Sequence, residues 1–141
     1  MPDKPIIGIT MGDPASIGPE IAIKALLNKT LYDSCRPLLV GDAVVFDAII
    51  ERLHLDAAIH VIKNIGEAEF KFGVIDVFDL HNIEMGQFNF GEISAMAGEA
   101  AFQSVKKVIE LALAGEIDAT VTGPINKKSI NEAGHHYAGH T

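Results

Sequence analysis

The side chains able to do chemistry crowd into residues 122–141, TGPINKKSINEAGHHYAGHT. A short apolar run at residues 119–121 reads as a strand, and a Gly-Pro turn follows it. Loops leaving the carboxyl ends of strands are where open α/β sheets bind ligands. Thr122, Asn126, Lys127 and Lys128 supply hydroxyl, amide and ammonium groups that can meet a phosphate, and Ser129 adds a hydroxyl. His140 titrates near neutrality, so it can move a proton or donate to an anionic substrate. The plain alternative is a solvated loop with Lys127 and Lys128 facing water. His135 and His136 read as packing or solvated residues, since adjacent histidines in a turn do not alone make a metal site. His54, His60 and His81 are scattered and read as structural.

A second chemical segment is ITMGDPASIGPEI, residues 9–21. A strand ends, a loop carries Asp13, and a helix opens at Gly18-Pro19-Glu20, with Pro in the first turn and an acid favourable to the dipole. Asp13 falls at the carboxyl edge of the sheet. There it can orient a ligand or a metal, or it can cap its own turn, which is the commoner use of Asp. The glycine spacing is not G-x-G-x-x-G, so the usual dinucleotide fingerprint is absent.

Strands alternating with helices must position these loops. Residues 5–10, 37–40, 58–62, 74–80 and 118–122 read as strands. Helices are expected from residue 18, from 42 to 53, from 93 to 114 and from 126 to 133. Ile21, Ala25 and Leu26/Leu27 are read as the apolar face of the first helix. Val44, Val45, Ala48, Ile49 and Leu53 are read as the inward face of the second. Ala97, Ala101, Val105, Val108, Ile109, Ala112 and Leu113 form the stripe of the longest. The alternation predicts an α/β fold, α/β/α layers around a mostly parallel sheet.

The 141 residues suffice for one core, and no apolar run reaches the ~18–20 residues of a membrane span. A single cysteine, Cys35, permits no internal disulfide and fits a reducing cytoplasm. The net charge of −8 argues against nucleic acid and anionic membranes as partners. Any phosphate site must then be locally cationic or built from backbone N–H groups.

Together the two segments resemble the 4-hydroxythreonine-4-phosphate dehydrogenase family of vitamin B6 biosynthesis. They read TMGDPASIGPEI and TGPINKKSINEAGHHYAGHT. They are similar to that family's TMGDPAGIGPEI opening and its T-[AG]-P-[LI]-[NH]-K…AG…Y-x-GHTE segment. The resemblance implies an isocitrate-dehydrogenase-like fold of two α/β/α domains with the active site in the cleft between them. It implies a cytoplasmic homodimer that oxidises a phosphorylated hydroxy acid with NAD and a divalent metal, the β-keto product then losing carbon dioxide. His140 and Thr141 match substrate-binding positions, and Lys127 matches the motif lysine, a phosphate or carboxylate contact. Asp13, Thr122 and Asn126 are expected to shape the cleft.

Two departures matter. Ser16 stands where the family has Gly, so a turn needing positive φ would be strained here. The family's metal-binding histidines and NAD-contacting segments lie beyond GHTE, so residues 1–141 read as an N-terminal portion cut inside the active-site motif. Alone, that portion is not expected to bind the metal at the family site or to turn over. The leading expectation is oxidation and decarboxylation of 4-phosphohydroxy-L-threonine in pyridoxine biosynthesis. A sister activity on D-threonate or D-erythronate 4-phosphate is the alternative, and residues 127–137 look at least as much like that branch. The rivals from other classes are a non-catalytic module holding a phosphorylated ligand and a purely structural fragment with unpaired, association-prone edge strands.

Overall fold

A computed structural model describes residues 3–136. Five strands run β1 (Ile6–Thr10), β2 (Arg36–Gly41), β3 (Ala58–Ile62), β4 (Val74–Asp79) and β5 (Ala119–Val121). The helices are α1 (Gly18–Leu26), α2 (Leu31–Ser34), α3 (Ala43–Leu53), α4 (Ala95–Leu113) and α5 (Lys127–Glu132). The strands form one sheet in the order β3-β4-β2-β1-β5, and every pairing is parallel. β2 is central, and β1 lies between β2 and the edge strand β5, with Ile6 opposite Arg36 on one side and Ile7 opposite Ala119 on the other.

Because side chains alternate along a strand, β2 feeds two cores. Leu39 joins Ile23, Phe46, Ile49 and Val77 under α1 and α3. Leu38 and Val40 join Val108, Leu111 and Ile117 under α4. Leu38, Leu39 and Val40 are fully buried, each worth about 1.5–3 kcal/mol of apolar transfer. α1 packs on α3, and α3 on β3 and β4. α4 covers β1, β2 and β5 on the other side and carries α5.

Local chemistry sets the helix ends. Asp42 caps α3, its Oδ1 accepting from Val44 N at 2.9 Å and Val45 N at 3.3 Å. Its Oδ2 accepts from Ile83 N at 2.9 Å, which ties the segment after β4 to the same turn. Ser94 caps α4 through Ala97 N at 3.1 Å, and Asn126 caps α5 through Ser129 N at 3.0 Å.

Several expected faces are corrected. α1 buries Pro19, Ala22, Ile23 and Leu26, while Ile21 and Ala25 are exposed. Pro19, Ala22, Ile23 and Leu26 follow the 3.6-residue period, and Ile21 stands off it. In α3, Val44 and Leu53 are exposed and Val45, Phe46 and Ile49 face inward. In α4 the buried stripe is Ala97, Ala100, Ala101, Ser104, Val108 and Leu111, with Ile109, Ala112 and Leu113 outside it. The short α2 was not expected. No helix among the described residues is long and apolar enough to cross a membrane.

Candidate functional site

The two chemical segments meet. They leave neighbouring parallel strands, β1 and β5, at the carboxyl edge of the sheet. α1, which follows β1, lies on the α3 side, whereas α5, which follows β5, lies on α4. Adjacent strands whose connections depart to opposite faces open a crevice at their carboxyl ends, the usual ligand position of an open α/β sheet.

Backbone contacts lock the two loops together. Asp13 N donates to Pro124 O at 2.8 Å, and Gly123 N donates to Thr10 Oγ1 at 2.8 Å. Gly12 has φ +72°, and a Cβ there would lie 2.5 Å from Pro124 O. Glycine is required at that position by conformation and by close approach. Gly18 has a second reason to be bare: a Cβ would meet Met11 O at 2.4 Å.

Asp13 is 3% exposed, and its Oδ1 accepts from Ala15 N at 2.8 Å, so the carboxylate caps its own turn. Burial pushes its pKa above the usual value, and the Ala15 N–H partly opposes the rise. Ser16 is not among the residues with positive φ, so the strain anticipated for a serine here is absent. Its hydroxyl donates to Asp13 O at 2.8 Å and accepts from Gly18 N at 3.1 Å. Serine therefore stitches the loop to the start of α1.

On the β5 side, Thr122, Lys127 and Lys128 are exposed. The Asn126 side chain is half-buried and engaged as the cap of α5. Ser129 is fully buried and its Oγ accepts from Ser94 N at 3.2 Å, so it holds α5 to α4 and does not face the loop. His135 packs: its ring stacks on Phe102 at 3.7 Å, with its Nε2 on a Glu99 carboxylate oxygen. His140 and Thr141 lie outside the described residues.

Among the described residues, the group of three ligand-type side chains that could hold a cation is His60, Glu69 and Asp76. It sits on β3, β4 and the turn between them, at the opposite edge of the sheet from β5. Asp76 there already accepts from His60 Nδ1, Glu69 N and Phe70 N. The described residues therefore do not fit a divalent metal at the two loops, and they carry no dinucleotide fingerprint.

One feature escaped the sequence. Both polar atoms of Asn82 are buried without a hydrogen-bond partner. The residue also borders an open pocket of about 380 Å³ with Leu80, Gln103, Lys106, Lys107 and Glu110, beside α4. Neither spacing nor residue type marks such an asparagine.

Comparison with known proteins sharpens the assignment. Residues 33–141 match the family model described as pyridoxal phosphate biosynthetic protein PdxA. A Symbiobacterium thermophilum protein named "Putative D-threonate 4-phosphate dehydrogenase" is 46% identical over 141 residues, covering 100% of this chain and 42% of that protein. A Clostridium botulinum protein of the same name is 44% identical over 139 residues, covering 99% and 42%. The crystal structure of a 4-hydroxythreonine-4-phosphate dehydrogenase from Burkholderia phymatum matches with TM-score 0.94 at 40% identity, covering 98% of this chain and 42% of that one. The chain thus spans about 42% of the length of these relatives. With its two loops joined at the sheet edge and over half its length matched by the family model, the chain belongs to the pyridoxal phosphate biosynthetic protein PdxA family.

Proposed function

We propose that the protein is a dehydrogenase of a 4-phosphorylated hydroxy acid, with this chain forming one wall of its active-site cleft. The observation that carries the reading is the junction of the two motif loops, Asp13 N on Pro124 O and Gly123 N on Thr10 Oγ1, at the carboxyl ends of β1 and β5. Thr122 and Lys127, which follow β5, are exposed. In this reading Lys127 contacts phosphate or carboxylate, and His140 and Thr141 donate to substrate oxygens. A nicotinamide cofactor and a divalent cation, if the whole protein holds them, would supply hydride acceptance and charge stabilisation, and the described residues of the two motif loops are not proposed to hold either. Membership of the PdxA family supports 4-phosphohydroxy-L-threonine as substrate. The names of relatives at 44–46% identity favour D-threonate 4-phosphate as the second reading. NADH production by the full-length protein on each substrate separates the two. Equal inactivity on both, with NAD and a divalent metal supplied, overturns the dehydrogenase reading.

A further inference from the structure

β3 and β4 are parallel neighbours, yet only residues 63–73 connect them. A parallel crossover is ordinarily a dozen or more residues built around an α-helix. This one holds a single 3₁₀ turn, Ile65–Glu67, so its backbone needs partners from outside a helix. Asp76, 1% exposed on β4, supplies some of them. Both of its carboxylate oxygens accept from Glu69 N at 3.1 Å, and Oδ2 accepts from Phe70 N at 2.8 Å.

Two further ligand-type side chains converge on the same carboxylate. His60 is the register partner of Asp76 across the two strands, and its Nδ1 lies 2.8 Å from Asp76 Oδ1. Glu69 sends its side chain back over the turn, with Oε2 3.8 Å from His60 Nδ1. The three ligand atoms all lie within 4.8 Å of one another. A tetrahedral Zn²⁺ with bonds of about 2.0–2.1 Å keeps its ligand atoms roughly 3.3 Å apart. The two His60 separations bracket that value. Charge points the same way: two carboxylates face one imidazole, and a divalent cation on a neutral ring balances both. The His60 and Glu69 side chains are 34% and 53% exposed, so solvent reaches the group and water can complete the coordination.

We propose that His60, Glu69 and Asp76 form a binding site for a late first-row divalent cation of the Zn²⁺ type, which staples the short β3–β4 crossover. The imidazole favours such a cation over Mg²⁺ or Ca²⁺, which prefer oxygen ligands alone. The cation takes the place of the proton between His60 Nδ1 and Asp76 Oδ1. The neutral ring then carries its proton on Nε2, and a charged ring releases one proton to solvent. Glu69 N and Phe70 N are the outer partners that orient the Asp76 carboxylate. The site lies at the opposite edge of the sheet from β5, so it does not rest on the dehydrogenase reading.

The test titrates ZnCl₂ into chelator-stripped, full-length wild type, His60→Ala and Glu69→Gln at neutral pH, followed by calorimetry. Any site elsewhere in the protein is common to all three and cancels in the differences. Wild type is expected to bind one Zn²⁺ per chain more than His60→Ala. Glu69→Gln keeps its backbone N–H on Asp76 and changes only an exposed side chain, so it reads the ligand and not the fold. Its affinity at this site is expected to fall at least about tenfold. Co²⁺ in place of Zn²⁺ should give wild type visible absorption of a four-coordinate site that both variants lack or show weakly. Equal Zn²⁺ stoichiometry and affinity in wild type and a folded Glu69→Gln overturns the proposal, as does an equal stoichiometry in His60→Ala. Loss of the extra Zn²⁺ to excess Mg²⁺ overturns the assignment to a late transition cation.

Discussion

Burial around Asp13 disfavours the ionised form of its carboxyl. Its raised pKa means that the folded state prefers the protonated acid, so the ionised form weakens folding above that pKa and the weakening is relieved as pH falls through it. Asp13→Asn keeps an oxygen for Ala15 N–H and removes the charge, so at pH 7 it is expected to match or exceed wild-type stability. Asp13→Ala leaves that buried N–H unmet and is expected to cost about 1–3 kcal/mol, read from denaturant melts. If Asn proves as damaging as Ala, the carboxylate does something that capping does not explain. His60 shows the opposite sign. Its hydrogen bond to Asp76 is the largest influence and raises its pKa above 6.5, partial burial opposes the rise, and the charges of Asp76, Glu69 and Glu67 reinforce it. The folded state thus holds the proton more tightly. That stabilisation is complete below about pH 6.5 and is lost as pH rises through the folded value. The Tm gap between wild type and His60→Ala should be wider at pH 5.5 than at pH 8.5, and an equal gap at both would sink the idea.

At the scale of the element, α4 and α5 depend on a missing side chain. Glycine inside a helix costs about 1 kcal/mol relative to alanine, so Gly98→Ala should stabilise α4 if only propensity mattered. With Ser129 O 1.9 Å from the added Cβ, the substitution must push α5 away. The expected result is a net loss of about 1–3 kcal/mol, with disturbance of α5 visible in amide exchange around Ser129 and Ile130. A rise in Tm would show that the two helices are not in this contact in solution. The sequence foretold a short helix over residues 126–133 ended by Gly134, but not that Asn126 would cap it. It did not foretell that Ser129 would turn inward, because a six-residue helix has too few turns to declare a face.

At the scale of the whole molecule, no strand among the described residues pairs with the outer side of β5. All three residues of β5 are exposed, and Val121 lies at 52% with Ile109 at 49% and Leu113 at 85% on the nearby flank of α4. An exposed strand edge beside an apolar flank invites pairing with another chain. The chain covers about 42% of its relatives' length, and those longer relatives have further chain with which to cover this edge. A polypeptide of residues 1–141 is therefore expected to self-associate with rising concentration in sedimentation experiments. Leu113→Lys with Val121→Lys should reduce the association while changing the Tm little, since both side chains are already in solvent. A monomer at all concentrations would mean that the edge protects itself.

The sequence by itself determined the class of fold, the order of the strands and helices along the chain, and the two loops that bear chemistry. It could do so because each rests on local information: strand runs bounded by Gly and Pro, a cap at Asp42, and motifs of contiguous residues at 9–21 and 122–141. It offered a turn cap as one of two readings of Asp13, and the structure shows that cap. Only the tertiary structure decided that β5 lies beside β1, and so that Gly12 and Pro124, more than a hundred residues apart, touch. Only it decided which apolar stripe of α4 faces the sheet, which left Ile109 and Leu113 outside, and that His135 is anchored to Glu99 and Phe102. Strand order and helix rotation are set by the summed burial of distant side chains, and no window of the sequence contains that sum.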